Sequence, residues 1–292
     1  MPDLTVVIPF HTGTPAELLE ETLASVLECR PDGLQILVVN AGQYSDSYSI
    51  QEEGVSFLSA DPDAGLVDCV KLALSEADAP VVQILQCGVV VTEGWVARAL
   101  ASFQRDDVAV MVPLIEEPAS GDEVICHTGW VYRPNGTISA ANATANVEGV
   151  LAPTRFSAFF RRDILIEQNW PSAIPTDFAM IDVTLQARAI GLNVVYDGNV
   201  RMELHDVAEE PVDLFNFWKY SEFLFCRWFS CFHPVGSPAL VMDRGSFFWQ
   251  GVRFLLTGKF SLWLRARGEG KNLARLSPVQ PVLERVQQVV GQ

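Results

Sequence analysis

Residues 1–115 alternate short continuous apolar runs with stretches in which apolar residues recur at helical spacing. The runs Leu4–Pro9, Leu34–Val39 and Pro80–Leu85 are rich in β-branched residues, which is typical of strands buried on both faces. This alternation of strands and helices predicts an α/β fold with an open, mostly parallel sheet flanked by helices.

The same patterns predict the other elements of this half. We expect Thr14 to cap the first helix, with Pro15 in its first turn. Thr92 is expected to cap the third helix. The remaining elements are strands at 55–58 and 108–113 and a helix over 65–77.

From residue 116 the pattern changes. It predicts, in order, a hairpin from 124 with its turn at 134–136, a polar segment over the cleft, a strand at 150–161, a helix at 177–190 and a short strand at 194–196. Beyond residue 210 aromatic-rich helical segments take over, the last of them over 247–264. We therefore divide the chain into a domain of residues 1–210 and a helical C-terminal extension of residues 211–292.

Composition and charge narrow the class of protein. The chain of 292 residues is 49% hydrophobic and 19% charged, which is enough to bury a large core. Its net charge of −16 excludes a general nucleic-acid binder, because phosphate binding needs a positive footprint. The segment 244–275 is the exception to this acidic character, since it contains several basic residues and a single acid, Glu269.

The six cysteines show no Cys-x-x-Cys spacing, so a reducing, cytoplasmic compartment is expected. The sequence opens without a basic and apolar leader, and no apolar stretch reaches the about 18 residues that a membrane-spanning helix needs. The sequons at Asn135 and Asn142 are therefore expected to carry no glycan.

Ligands of open parallel sheets bind beyond the carboxyl ends of the strands. The segments in that position are 9–14, 40–46 and 86–92. We expect the binding site to be built from these three segments.

The order of the motifs resembles that of family 2 glycosyltransferases, which have the GT-A fold. Val6–His11 is similar to the family's first strand and nucleotide-binding turn, and Val38–Gly42 stands where the family has a strand ending in Asp-Asp-Gly. Further matches follow in the family's order, so that the resemblance covers roughly residues 4–210. They are Glu93-Gly94-Trp95, Arg161-Arg162-Asp163, Val194–Tyr196 and His205.

This resemblance implies the transfer of a sugar from a nucleotide-diphosphate sugar to a glycan or lipid-linked acceptor, as in polysaccharide biosynthesis. It places the nucleotide at Pro9, Phe10, His11, Asn40, Gly42, Asp61 and Gly65. Asn40 replaces an Asp that contacts the base in the family, and its amide keeps an acceptor while adding a donor. Ordinary turns at Asn40 and Asp61 are the alternatives.

Members of the family hold a Mg²⁺ or Mn²⁺ ion with an Asp-x-Asp motif, and the ion neutralises the diphosphate leaving group. The matching positions here are Gln86-Cys87-Gly88, which carry no carboxylate. Gln86 and Gly88 stay candidates for contact with the donor, and an ordinary strand end is the alternative. His205 matches a histidine that joins the metal or the diphosphate in some members, with a structural histidine as the alternative.

The family's inverting reaction needs a general base that takes the proton of the acceptor hydroxyl. Its usual position falls on Ala179-Met180, so that Asp177 and Asp182 are the candidates nearest to it. Asp182 lies on the apolar face of its predicted helix, where a carboxylate needs a partner. The alternative for Asp182 is therefore a structural ion pair with Arg161 or Arg162.

Aromatic and cationic side chains are interleaved over 247–267, as in segments that lie on an anionic membrane surface. Packing onto the first domain or onto a partner subunit would use the same apolar residues. Two functions stay open at this point. One is an active transferase, and the other is an inactive pseudo-glycosyltransferase that serves as a binding or scaffold subunit.

Overall fold

The computed structural model describes residues 2–118, 123–133, 137–141, 150–168, 170–171, 174–205, 213–232 and 249–279. The predicted turn at 134–136, both sequons and the division near residue 210 lie outside these ranges.

The first half forms parallel strands joined by helices, as the sequence predicts. Its elements are β1 (Leu4–Phe10), α1 (Ala16–Glu28), β2 (Leu34–Asn40), a short 3-10 turn (Ile50–Glu53), β3 (Val55–Ser59), α2 (Leu66–Glu76) and β4 (Val81–Leu85). Strands β1, β2, β3 and β4 pair in parallel, with Val6 opposite Ile36 on one side and Gln83 on the other.

The second half adds antiparallel strands. Its elements are β5 (Val89–Val91), α3 (Trp95–Phe103), β6 (Val108–Pro118), β7 (Val124–His127), β8 (Trp130–Tyr132), β9 (Ile138–Ala140), β10 (Val150–Ala152), β11 (Ser157–Arg161), α4 (Arg162–Ile166), α5 (Thr176–Ala189), β12 (Asn193–Leu204), α6 (Leu214–Phe232), α7 (249–256) and α8 (Phe260–Leu276).

The described strands form one large mixed sheet and one small antiparallel sheet. The large sheet has the order β3-β2-β1-β4-β11-β6-β12-β5, with β7 paired to β6. Strand β11 runs antiparallel between β4 and β6, and it separates the parallel first half from the parallel pair β6–β12. The small sheet has the order β10-β8-β9.

Helices cover both faces of the large sheet, because alternate residues of a strand point to opposite sides. Val7 joins the core that contains α2, α4, α5 and α6. Val6 and Ile8 join the opposite core, which contains α1 and α3. The predicted α/β class with flanking helices is therefore confirmed.

Several predicted details are wrong. Helix α1 has Pro15 at its N-cap with no side-chain bond, so Thr14 does not cap it. Helix α3 begins after Gly94, and the Thr92 hydroxyl instead donates to the carbonyl of Arg201. The predicted strand over 150–161 is two strands, and the predicted helix over 247–264 breaks at Gly258, which has φ of 70°.

Helix α5 connects the sheet to the C-terminal helices. Every residue from Phe178 to Ala187 is buried, because α5 packs on the sheet, on α2 and α4, and on α6. Helix α6 in turn packs on α8, where the buried Glu222 pairs with Arg267 at 2.6 Å. No helix of the described ranges combines the length and the apolar character that crossing a bilayer requires.

Candidate functional site

A cleft of about 270 Å³ opens beyond the carboxyl ends of β1 and β4, at the beginnings of α2 and α5. Four of the residues that we expected at a site line it: Pro9, His11, Gln86 and Asp177. The other lining residues are Leu66, Ile84, Arg155, Pro175 and Thr176. The position agrees with the rule that ligands of such sheets bind at the strand ends.

The turn after β1 is held against the loop that precedes α2. The Nδ1 atom of His11 lies 3.2 Å from the carbonyl oxygen of Ala64, and the Thr12 hydroxyl donates to the Pro62 carbonyl at 2.8 Å. Asp61 accepts the backbone N–H of Asp63 in the same loop and is exposed. These bonds fix the position of His11 at the rim of the cleft.

Five other residues that we expected to contact the nucleotide lie beside the cleft and are not among the residues that line it. Phe10 is buried. The Asn40 side chain bonds both the N–H and the carbonyl of Tyr44, so it closes a turn. A side chain on Gly42 would overlap the Phe10 ring, which explains the glycine there. Asp61 forms the turn already described, and Gly65 is the N-cap of α2, directly before Leu66.

The turn at Gln86-Cys87-Gly88 is fixed by bonds to its neighbours. The N–H of Gln86 donates to the Phe156 carbonyl, and the N–H of Gly88 donates to the Thr22 hydroxyl of α1 at 2.9 Å. Cys87 is buried, and burial raises the pKa of its thiol to about 12, so that it stays protonated. Gly88 has φ of 88°, a conformation that disfavours any other residue.

These residues do not fit a divalent metal. Gln86 offers one neutral oxygen, while Cys87 is a buried thiol and Gly88 has no side chain. Mg²⁺ and Mn²⁺ prefer several oxygen ligands, with carboxylates among them. Throughout the described ranges, no three His, Cys, Asp or Glu residues are grouped so that they could hold a metal ion.

Asp177 is the carboxylate of the cleft, in the first turn of α5. Its Oδ1 accepts the indole N–H of Trp130 at 2.9 Å and the backbone N–H of Arg155 at 3.0 Å. Two donors from different segments therefore hold this carboxylate in one orientation beside the space where a substrate would lie.

Asp182 is fully buried and is not one of the residues that line the cleft. Its Oδ1 accepts the indole N–H of Trp228 at 2.6 Å and lies 3.3 Å from Nε of Arg227, both on α6. Burial raises the pKa of Asp182, while Arg227 and Trp228 act in the opposite direction. A structural ion pair therefore describes it better than contact with an acceptor.

The expected partners of Asp182 were wrong. Arg161 donates to the carbonyl of Val108, and Arg162 donates to that of Leu74. The actual partner, Arg227, belongs to the segment that we had assigned to a separate extension.

His205 follows β12 and lies next to the turn, because its N–H donates to the Gly88 carbonyl at 2.8 Å. Its ring nitrogens point to Glu21, at 3.0 Å, and to Glu203, at 3.4 Å. The hydrogen bond to Glu21 is the largest cause that raises the pKa of His205. Burial of the ring lowers this pKa, and the bond to Glu203 raises it. The ring is therefore engaged with carboxylates outside the cleft.

Sequence reasoning missed Arg155 and Thr176. Arg155 lies between β10 and β11, inside the segment that we expected to be one strand, and its guanidinium packs over the Phe156 ring at 5.2 Å. The signal was Pro153, which has no N–H to donate and is therefore found at the ends of strands rather than within them. Thr176 is the first residue of α5 and comes to the cleft with Asp177.

No family model matches the chain. A segment of 125 residues is 32% identical to polypeptide N-acetylgalactosaminyltransferase 12 of Mus musculus and 31% identical to the Homo sapiens protein of the same name. The match covers 40% of this chain but 22% and 21% of those proteins, so the similarity spans about a fifth of their length.

Solved structures show the same fold at low sequence identity. TarS (residues 1–349) of S. aureus with UDP-GlcNAc has a TM-score of 0.56 at 12% identity, covering 99% of this chain and 92% of that one. Mannosyltransferase PcManGT of Pyrobaculum calidifontis with GDP-Man and Mn²⁺ has a TM-score of 0.51 at 16% identity, covering 99% and 88%. GalNAc-T7 with UDP, GalNAc and Mn²⁺ has a TM-score of 0.54 at 13% identity, covering 89% and 59%.

The chain therefore has the GT-A glycosyltransferase fold, as the resemblance implied. Nucleotides or nucleotide sugars are bound in these three related structures, and Mn²⁺ is present in two of them.

Proposed function

We propose that the protein is an inverting glycosyltransferase of the family 2 type, which transfers a sugar from a nucleotide-diphosphate donor to a hydroxyl of a glycan or lipid-linked acceptor. The observation that carries the proposal is the position of Asp177. Among the described residues that line the cleft it is the one carboxylate, and two donors orient it.

In this reaction the acceptor oxygen attacks C1 of the donor sugar from the side opposite to the leaving group. The bond between C1 and the diphosphate oxygen breaks, and the nucleoside diphosphate leaves with the electron pair. Asp177 takes the proton of the acceptor hydroxyl as the general base. The single displacement inverts the anomeric centre.

The nucleotide would occupy the side of the cleft formed by the turn after β1. His11 and Pro9 line that side, and Phe10, Asn40, Gly42, Asp61 and Gly65 support it from behind. Gln86 faces the donor from the end of β4, and Gly88 sets the turn beneath it.

The test is transfer or hydrolysis of nucleotide sugars by the wild-type chain and by Asp177→Asn, which keeps the shape of the side chain. We expect the variant to lose 10²-fold or more of kcat, about what a general base contributes, with little change in KM. Asp78→Asn is the matched control, because Asp78 is exposed and precedes β4 at the opposite end of the strand. Equal kcat for Asp177→Asn and wild type would show that Asp177 is not the base.

The second candidate function is a pseudo-glycosyltransferase that keeps the cleft as a binding site. Asp182 and the turn at Gln86-Cys87-Gly88 favour it, since the first is locked in the core and the second has no carboxylate. A wild-type chain that binds nucleotide sugars but neither transfers nor hydrolyses them would establish this alternative.

We also propose that the protein lies on the cytoplasmic surface of a membrane. Large apolar side chains of α7 are exposed among the described residues, with Leu255 at 64% and Leu256 at 82%, and Arg253 and Lys259 are close to them in the chain. Such a surface suits anionic lipid. We expect Leu255→Ser/Leu256→Ser to reduce sedimentation with anionic vesicles, whereas binding to neutral vesicles at the same level would contradict the charge argument.

A further inference from the structure

Arg155 supplies the cleft with a fixed positive charge. Among its described lining residues Arg155 is the one Lys or Arg, in a chain whose net charge is −16. The guanidinium lies over the Phe156 ring, and the backbone N–H of the same residue holds Asp177. The cation and the proposed base are therefore positioned by one short segment.

A nucleoside diphosphate that leaves from a sugar needs its negative charge balanced, because developing charge in a partly dry cleft is costly. A divalent metal would be held at the end of β4, where this chain has Gln86-Cys87-Gly88. Cys87 is buried, Gly88 is locked by its left-handed backbone and its bond to Thr22, and Gln86 is neutral. The charge must then come from another group.

We infer that Arg155 binds the diphosphate of the donor directly, and that donor binding by this protein is independent of divalent metal. The inference rests on the proposed function, because it concerns the same donor. The planar guanidinium is suited to the role, since it stays charged and bonds two phosphate oxygens at once. The first amides of α2 and α5 add positive potential at the same end of the sheet.

The test is calorimetric titration of UDP, GDP, CDP and ADP, and of the corresponding monophosphates, into wild-type protein. Each titration is run once with EDTA and once with Mn²⁺. For the diphosphate that binds, we expect the same Kd within about twofold in both buffers. The variant Arg155→Gln should weaken the binding of the diphosphate by about tenfold or more, as for a lost charge-assisted bond. It should weaken the binding of the monophosphate far less.

Two variants separate binding from folding. Arg188→Gln removes the same charge at the far end of α5, where Arg188 is exposed, and should bind like wild type. Arg155→Lys keeps the charge but lacks the planar guanidinium, so its affinity for the diphosphate should lie between those of wild type and Arg155→Gln. Equal thermal denaturation midpoints of all four proteins show that the fold is intact.

The outcomes are distinct. Diphosphate binding that requires Mn²⁺, or that Arg155→Gln leaves unchanged, would overturn the inference while the proposed nucleotide-sugar site stands. An equal loss of diphosphate and monophosphate binding in Arg155→Gln would also overturn it, since that pattern indicates a structural role. Binding of no nucleotide in either buffer would overturn the proposed function itself.

Discussion

At the scale of single residues, Gly88 sets the geometry of the turn that follows β4. Its φ of 88° is a left-handed conformation, and its N–H bonds Thr22 and Leu18 of α1. A side chain there strains the backbone by about 1–2 kcal/mol. We therefore expect Gly88→Ala to lower the free energy of unfolding by about that amount.

Urea denaturation measures this change. The variant Gly88→Asp should lose stability as well, and should gain no Mn²⁺ affinity in calorimetry, because one carboxylate beside a neutral Gln86 does not make a metal site. Tight Mn²⁺ binding by Gly88→Asp would show that the turn is more adaptable than its bonds indicate.

His205 gives the fold a pH dependence at the same turn. Its pKa in the folded chain is raised by Glu21 and Glu203, so the protonated ring stabilises the fold. That stabilisation is fully present below the ordinary histidine pKa of about 6.5 and is lost as the pH rises through the raised value. The ion pairs are partly exposed, so we expect at most about 1 kcal/mol.

The measurement compares wild type with His205→Gln by urea denaturation at about pH 5 and about pH 8, on either side of histidine titration. The variant should be less stable at the lower pH and equal to wild type at the higher one. A difference that is constant with pH would contradict the ion pairs to Glu21 and Glu203.

At the scale of elements, α6 and α8 approach closely at a glycine. A side chain on Gly270 would overlap the Lys219 carbonyl oxygen and lie 3.0 Å from Cβ of Glu222. Gly268, two residues earlier in α8, has open space around it. The pair therefore offers a test of helix packing with an internal control.

We expect Gly270→Ala to destabilise the protein by about 1–3 kcal/mol through overpacking. Gly268→Ala should stabilise it by up to about 1 kcal/mol, because alanine favours the helix. Thermal denaturation of both variants is the measurement. Stabilisation by both substitutions would mean that α8 does not pack on α6 as described.

The elements also show what the sequence allowed us to predict. Strands β1, β2 and β4 were predictable because each is a continuous apolar run, and α5 was predictable to within a residue or two. Strand β5 was missed because three residues are too few to show the alternation of apolar and polar positions that predicts a strand. Arg155 was missed because apolar residues continue on both sides of the turn that holds it, so that the pattern reads as one strand.

At the scale of the whole molecule, the predicted division near residue 210 separates partners that the structure joins. Asp182 belongs to the first part and Arg227 and Trp228 to the second, and all three are buried. The burial of Asp182 was predictable from its helical face. Its partners were not, because they come from a helix distant in sequence that no local pattern connects to it.

This ion pair predicts strong coupling between the two parts. Asp182→Ala leaves Arg227 buried without its carboxylate, which we expect to cost about 3–5 kcal/mol. The double variant Asp182→Leu/Arg227→Met removes both charges and should be less destabilised than Asp182→Ala. Urea denaturation of both tests this, and an Asp182→Ala protein as stable as wild type would contradict the coupling.

The burial of α5 from Phe178 to Ala187 also has a consequence for biosynthesis. The ribosome releases the sheet and α5 before α6, so the apolar surface of α5 that α6 covers stays in contact with water while the later helices are being made. An exposed surface of that kind favours aggregation and chaperone binding. The nascent chain therefore covers this surface only after α6 has left the ribosome, and Asp177, the proposed general base, lies in the first turn of the same helix.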